Sequence, residues 1–344
     1  MTRKERMNKV DKPVRKAIPF SLKLFASAIL LLISFLFAMK LGAAHTSWQD
    51  VLLSFTSNQE GNILILKEIR FPREIGAAFV GAALAVSGAI MQGMTRNPLA
   101  DPGLLGLTAG ANAALAIALA FIPTINYFGI MTACFIGSAV GALIVFGIAS
   151  AKRGGFAPIR LVLAGAAVST FLFAIAQGVG LYFKISKDVA MWTAGGLIGT
   201  SWGQLQTIAP VIIIGIFVAL ALSRQLTLLS LNEEVAIGLG QHTMKIKVLL
   251  FMVIILLAGA AVALAGNLAF VGLMIPHIVR AIVGTDYRFI IPISAILGAT
   301  FMLLADTVGR MLQAPFETPV AALIAIIGLP FFLLIVRKGG RAFS

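Results

Sequence analysis

No charged residue stands between Glu74 and Arg96, and that gap narrows the folds open to this chain more than any other feature. A helix over Glu74 to Met94, rising 1.5 Å per residue, is long enough to cross a hydrocarbon core roughly 30 Å thick. The stretch therefore reads as a membrane span. Gly76, Ala77, Ala78, Gly81, Ala82, Ala83, Ala85, Ser87, Gly88, Ala89 and Gly93 leave it almost without bulk. Apolar side chains gain nothing by clustering in lipid, so small residues serve close helix packing or the lining of a passage. Asn97-Pro98 and Asp101-Pro102 follow, and each X-Pro step disfavours helix at the residue before it. The chain must break between Met94 and Leu104.

The rest of the sequence repeats the first half of this pattern. Hydrophobic residues make up 59% of the 344 and charged residues 12%, against about 25% charged in a soluble domain. Spans are expected near 24–39, 74–94, 104–122, 128–149, 161–183, 205–222, 248–265, 270–282, 289–308 and 320–336. The eighth holds Pro276 and His277 and is expected to be kinked or broken. Gly106/Gly110 and Gly137/Gly141 are GxxxG pairs suited to helix contact. The segments 41–66 and 184–202 read as external, the latter amphipathic with Trp192 and Trp202 near its ends.

The net charge of +14 raises the question of nucleic acid, but the distribution answers it. With the N-terminus inside, all but seven of the 27 basic residues fall on the inner side, the exceptions being Lys40, Lys67, Arg70, Arg73, Lys184, Lys187 and Arg310. This is the positive-inside pattern, which sets orientation and needs no nucleic-acid partner. A basic head before an apolar run can mark a leader peptide, but no A-x-A-like cleavage site is evident. Residues 1–23 therefore read as a cytoplasmic basic N-terminus, 24–336 as the transmembrane domain and 337–344 as a cytoplasmic C-terminus.

Chemistry-bearing motifs are sparse. Cys134 is the single cysteine, and His45, His242 and His277 lie too far apart for metal-ligand spacing. The sequence contains no GxxxxGK[ST] or HExxH, so neither a phosphate-cradling loop nor a zinc-protease site is expected. Two polar features stand out. Asp306 and Arg310, one helical turn apart within a span, can pair as a structural unit, an arrangement favoured over a proton relay for want of further acids. Residues 223–247 form a polar stretch in which Ser230, then Glu233 and Glu234, then Gly238 and Gly240 suggest a capped short helix in the cytoplasm or a solvated loop.

In order along the chain, Arg70-x-x-Arg73, GAALAVSGAIMQ, Arg96-Asn97-Pro98-Leu99-Ala100-Asp101-Pro102, Leu105-Gly106, FVGLMIPHIVR (270–280), Ala305-Asp306 to Arg310 and GLPFFLLIVRKG (328–339) resemble the permease subunits of ABC importers for ferric siderophores, haem and cobalamin. The resemblance runs from about Arg70 to the C-terminus. It implies an all-α polytopic protein of about ten transmembrane helices, the type II importer permease fold, in a bacterial plasma membrane. A weak inverted repeat is suggested by Ala85–Gly88 with Asn97-Pro98 and Ala263–Gly266 with Pro276-His277.

The resemblance further implies a second permease copy or paralogue, two ATP-binding subunits and an external substrate-binding protein. ATP and Mg would sit on the partner ATPases, and this chain would hold no cofactor. Arg70, Arg73 and Arg310 match positions that receive acidic residues of the binding protein. Asn97, Pro98 and Leu99 match a cytoplasmic gate, and Phe156–Ile159 occupies the place of a second constriction, though more apolar than in the family. Glu233, Glu234, Ala236 and Gly238 match the segment that couples to the ATPase. The implied cargo is a ferric siderophore, with cobalamin or haem as alternatives. From other classes, a gradient-driven secondary transporter would need no partner ATPase, and a membrane-embedded transferase would need acidic metal clusters.

Overall fold

A computed structural model describes residues 18–42, 46–56, 61–151, 158–314 and 316–337. Among them every regular element is helical, with one isolated antiparallel bridge between Gln313 and Phe316. The long helices are α1 (Phe20–Lys40), α3 (Phe71–Thr95), α5 (Tyr127–Ser150), α6 (Pro158–Tyr182), α8 (Trp202–Ala221), α11 (Thr243–Ala265), α13 (Tyr287–Leu312) and α14 (Val320–Arg337). Among the described residues, eight helices are long and apolar enough to cross a membrane. Two apolar helices are shorter, α4 (Leu107–Phe121) and α12 (Val271–Val283). Short helices α2 (Trp48–Leu53), α7 (Ser186–Thr193), α9 (Ser223–Leu231) and α10 (Glu233–Gly238) lie between them. The chain is thus a multi-pass membrane protein with the ten apolar helices that its sequence leads one to expect.

Helix α3 is the axle. It begins at Phe71, three residues before Glu74, and is continuous with a π-helical turn over Leu66–Arg70 and a helical turn over Asn62–Ile65. The expected external segment is therefore partly drawn into this helix. Nearly all of α3 is buried, and it packs on α13, α11, α12 and α8. Its glycines are what let it do so: a Cβ at Gly81 would stand 2.1 Å from the Gly298 carbonyl oxygen of α13, and one at Gly88 would stand 1.9 Å from that of Gly272 in α12. The two GxxxG pairs meet each other, with a Gly110 Cβ falling 2.1 Å from the Gly137 oxygen. Backbone approach of this kind substitutes for the hydrophobic drive that helices lack in lipid.

Both short helices start at chain breaks. At 15 residues, α4 spans about 22 Å, and a 3₁₀ turn over Pro102–Leu105 supplies the rest. Helix α12 follows the extended stretch 266–270, where Gly266 and Phe270 both have positive φ (71° and 67°). The break at this span therefore precedes the helix. Pro276 itself lies inside an unbroken Val271–Val283, so of the expected kink or break at Pro276-His277 the break is absent. Proline has no N–H for the carbonyl four residues earlier, here that of Gly272. Gln92 of α3 fills the vacancy, its Nε2 donating to Gly272 O and Leu273 O, both at 3.2 Å. Buried backbone at this depth has no water to turn to.

Contacts between distant residues define two ends. At one, Lys23 Nζ donates to Ile282 O (2.6 Å), the Phe20 and Phe289 rings are 4.5 Å apart, and Thr227 meets Asp286. At the other, Arg70 reaches the end of α1 and Trp202 Nε1 donates to Lys67 O (3.0 Å). The first is the end to which the charge pattern assigns the cytoplasm, and it is called the basic end below.

Candidate functional site

At the end opposite the basic one, the three arginines singled out in the sequence are buried. Arg70, Arg73 and Arg310 are 4%, 7% and 5% exposed, and Glu74 and Asp306 are fully buried beside them. Arg73 forks onto Asp306 (Nε–Oδ2 and Nη2–Oδ1, both 2.9 Å) and onto Glu317 (Nη1–Oε1 2.6 Å, Nη2–Oε2 2.9 Å). Arg310 pairs with Asp306 across one turn (Nε–Oδ2 3.1 Å), as its spacing suggests, and donates to Glu74. Arg70 Nη1 donates to the carbonyl oxygens of Met39 (2.6 Å) and Lys40 (3.1 Å) and to Thr46 Oγ1 (2.8 Å). Three cations and three carboxylates balance, and the planar guanidinium is what permits two bidentate bonds at one residue. The cluster ties α3 to α13, to the end of α1 and to the loop before α14. Only Glu317, its side chain a third exposed, gives this network an outer edge. Glu74 and Glu317 are the members that sequence reasoning missed. The sequence marks Glu74 only as the start of a span, and Glu317 lies in the loop between the last two spans.

At the basic end the segment 223–238 makes two helices rather than one. The cap expected at Ser230 is at Asn232, whose Oδ1 accepts from Glu234 N at 3.1 Å, because Asn232 is the residue with extended backbone ahead of the acids. Glu233 bonds Lys247 of α11 (2.6 Å). Its partial burial pushes the carboxyl up, but the Lys247 ammonium, aided by Thr243 and Arg96, outweighs that and holds it below the usual range. Ala236 is fully buried, while Leu231, Val235, Ile237 and Leu239 are 47–65% exposed, an apolar face on a polar stretch. Glu234 and Gly238 are exposed. Beneath this surface, α9 rests on the end of α3: a Cβ at Gly93 would meet Tyr287 at 2.6 Å and Leu226 at 2.8 Å. Thr227 Oγ1 donates to Asp286 Oδ1 (3.2 Å) and accepts from Tyr287 N (3.0 Å). Arg280 Nη2 donates to Gln92 Oε1 one turn before the break.

The break itself is an Asx turn. Arg96 caps α3 in the left-handed region (φ 53°), and Asn97 Oδ1 accepts from Leu99 N at 3.0 Å. Beyond it lies a cavity of about 650 Å³ bounded by Leu99, the 3₁₀ turn, α6, the start of α12 and α14. Leu99 lines this space and Asn97 and Pro98 stand behind it, so of the three expected gate residues one reaches the cavity wall. Of the second expected constriction, residues 156 and 157 lie outside the described residues, and Ile159 is 66% exposed. A second cavity of about 460 Å³ lies between the far half of α6 and α7.

The comparisons agree with this geometry. A model described as the FecCD transport family matches residues 30–338. The chain is 43% identical over 325 residues to the iron(3+)-hydroxamate import system permease protein FhuB of Bacillus subtilis (strain 168), covering 92% of this chain and 83% of that one. It is also 43% identical over 320 residues to the iron-uptake system permease protein FeuB of the same organism, covering 92% and 95%. Among solved structures it is similar to a metal-chelate type ABC transporter in an inward-facing conformation, with a TM-score of 0.82 and 28% identity over 92% of this chain and 99% of that one.

Proposed function

The chain belongs to the FecCD transport family, and from that premise we propose that it is the permease subunit of a binding-protein-dependent ABC importer that carries a ferric siderophore inward by alternating access. One observation carries the reading beyond the family. Helix α9, which with α10 carries the exposed apolar face, rests on the end of α3 that leads into the break beside the larger cavity. A subunit pushing on that face would move the wall of a passage. The chain itself has no phosphate-binding loop, so ATP and Mg²⁺ would be held by two partner ATPases docked on Leu231, Val235, Ile237 and Leu239. Ala236, buried under that face, and Glu233, anchored to Lys247, make the face rigid enough to transmit force.

A second permease, identical or paralogous, would complete the passage. The N- and C-termini would be cytoplasmic, in a bacterial plasma membrane. An external binding protein would dock at the cluster of Arg70, Arg73 and Arg310. Since the arginines are already neutralised from within, a partner carboxylate would reach Arg73 by displacing Glu317, with Arg70 and Arg310 holding the cluster from below. The cargo assignment draws on relatives named for iron-hydroxamate and iron-uptake import. Relatives named for hemin and cobalamin import make those the alternatives.

The test is capture of the protein from gently solubilised membranes. A stoichiometric nucleotide-binding subunit is expected. Its absence, together with uptake abolished by collapsing the ion gradient, would favour a secondary transporter instead.

A further inference from the structure

The two cavities share two lining residues, Phe173 of α6 and Asn267 of the 266–270 break, and no other described residue lines both. We propose that Phe173 and Asn267 form a constriction inside the membrane that divides the passage into an outer and an inner chamber, so that cargo crosses in two stages. The inference rests on the permease reading above and adds a gate distinct from Asn97, Pro98 and Leu99.

The helix periodicity supports it. Ala166, Ser169, Phe173, Gln177 and Gly180 recur at three- and four-residue intervals and so line one stripe of α6, and each borders one or both chambers. Phe173 is the one large ring on a stripe otherwise of small or polar side chains. It stands 15 residues into α6, about 22 Å along the helix from the basic end, well within the hydrocarbon thickness. The chambers on its two sides differ in the polar groups they offer. Both are mostly apolar, but the outer has the amides of Asn112 and Gln177 with Ser186 and Thr193 in its wall, whereas the inner has Asp101, Thr108 and Ser169 among Leu84, Leu107, Val262 and Phe332. A ring between two such compartments is suited to withhold a solvated cargo until the walls part.

Asn267 is held in place by the external segment that also walls the outer chamber. Gly196 N donates to Ala265 O at 2.8 Å, and a Cβ at Gly266 would stand 2.7 Å from the Trp192 oxygen. Movement of α7 and the turn after it would therefore carry Asn267 with it. That couples the constriction to the outer face, where a binding protein would arrive, while Leu99 answers to the basic end.

The test uses the full complex, permease with its partner ATPases, in proteoliposomes with the loaded binding protein. Phe173→Ala is expected to let ferric trihydroxamate leak down its gradient without ATP. Phe173→Trp is expected to abolish uptake while stimulation of ATP hydrolysis by the loaded binding protein persists. Asn267→Ala should leak as Phe173→Ala does. In a Cys134→Ala background, Phe173→Cys should change its reactivity to a membrane-impermeant thiol reagent between nucleotide-free and ATP-trapped states, a readout that survives even if the bulkier or smaller variants fold poorly. Wild-type uptake in both Phe173→Ala and Phe173→Trp, or unchanging thiol reactivity, would overturn the constriction. Absence of ATP-driven uptake in the unsubstituted complex would instead overturn the permease reading.

Discussion

Arg73 carries two carboxylates from a distant part of the chain, and its neighbours explain why it is arginine. Lysine would offer one point charge where Asp306 and Glu317 each take two hydrogen bonds. Asp306 is fully buried, and removing one partner of a buried pair leaves an uncompensated charge at a cost of about 3–5 kcal/mol. Arg73→Ala is therefore expected to lower thermal stability in detergent strongly and Arg73→Lys less. Glu317→Gln, at the exposed edge, should cost about 0–1 kcal/mol. An Arg73→Ala protein that melts like the wild type would show that the cluster holds nothing together. The same variants separate docking from structure: Glu317→Gln should tighten, not weaken, salt-sensitive capture of the binding protein if Glu317 competes for Arg73. Of this cluster the sequence exposed only the Asp306–Arg310 pair, because spacing within one helix is local information. The Arg73–Asp306 contact joins residues 233 positions apart, and no single-sequence pattern encodes it.

Helices carry the next level of the account. Hydropathy located all ten apolar helices to within a few residues, since length and apolar content follow directly from bilayer thickness. It misjudged where backbone geometry decides. Pro276 looked like a kink or a break, yet the helix runs through it, and the Gly272 carbonyl it orphans is served by Gln92, a partner supplied by another helix. Ser230 looked like a cap, yet the chain turns at Asn232. The exposed row Leu231, Val235, Ile237 and Leu239 was legible as residues but not as a face, because its exposure depends on how α9 sits on α3 and α10 on α11. Replacing Val235 and Ile237 by aspartate is expected to reduce co-purification of the ATPase subunit and to uncouple its turnover from transport, with the permease still in the membrane. Full-strength stimulation of hydrolysis by the loaded binding protein in that variant would remove the coupling role from α10.

At the scale of the whole molecule, two polar surfaces at opposite ends are linked through one buried helix. The ionic cluster grips one end of α3, and α9 grips the other end next to the break. Small residues along α3 allow it to touch α8, α11, α12 and α13, so displacement at either end is shared by most of the bundle. Alternating access needs such a member, and it also needs a motor outside this chain. The measurement that tests the account most directly is uptake of a ferric siderophore into proteoliposomes holding this protein, with ATPase and binding protein added or withheld. Uptake that requires ATP, both partners and no ion gradient is predicted. Uptake by the permease alone, driven by a proton or sodium gradient and indifferent to ATP, would contradict it.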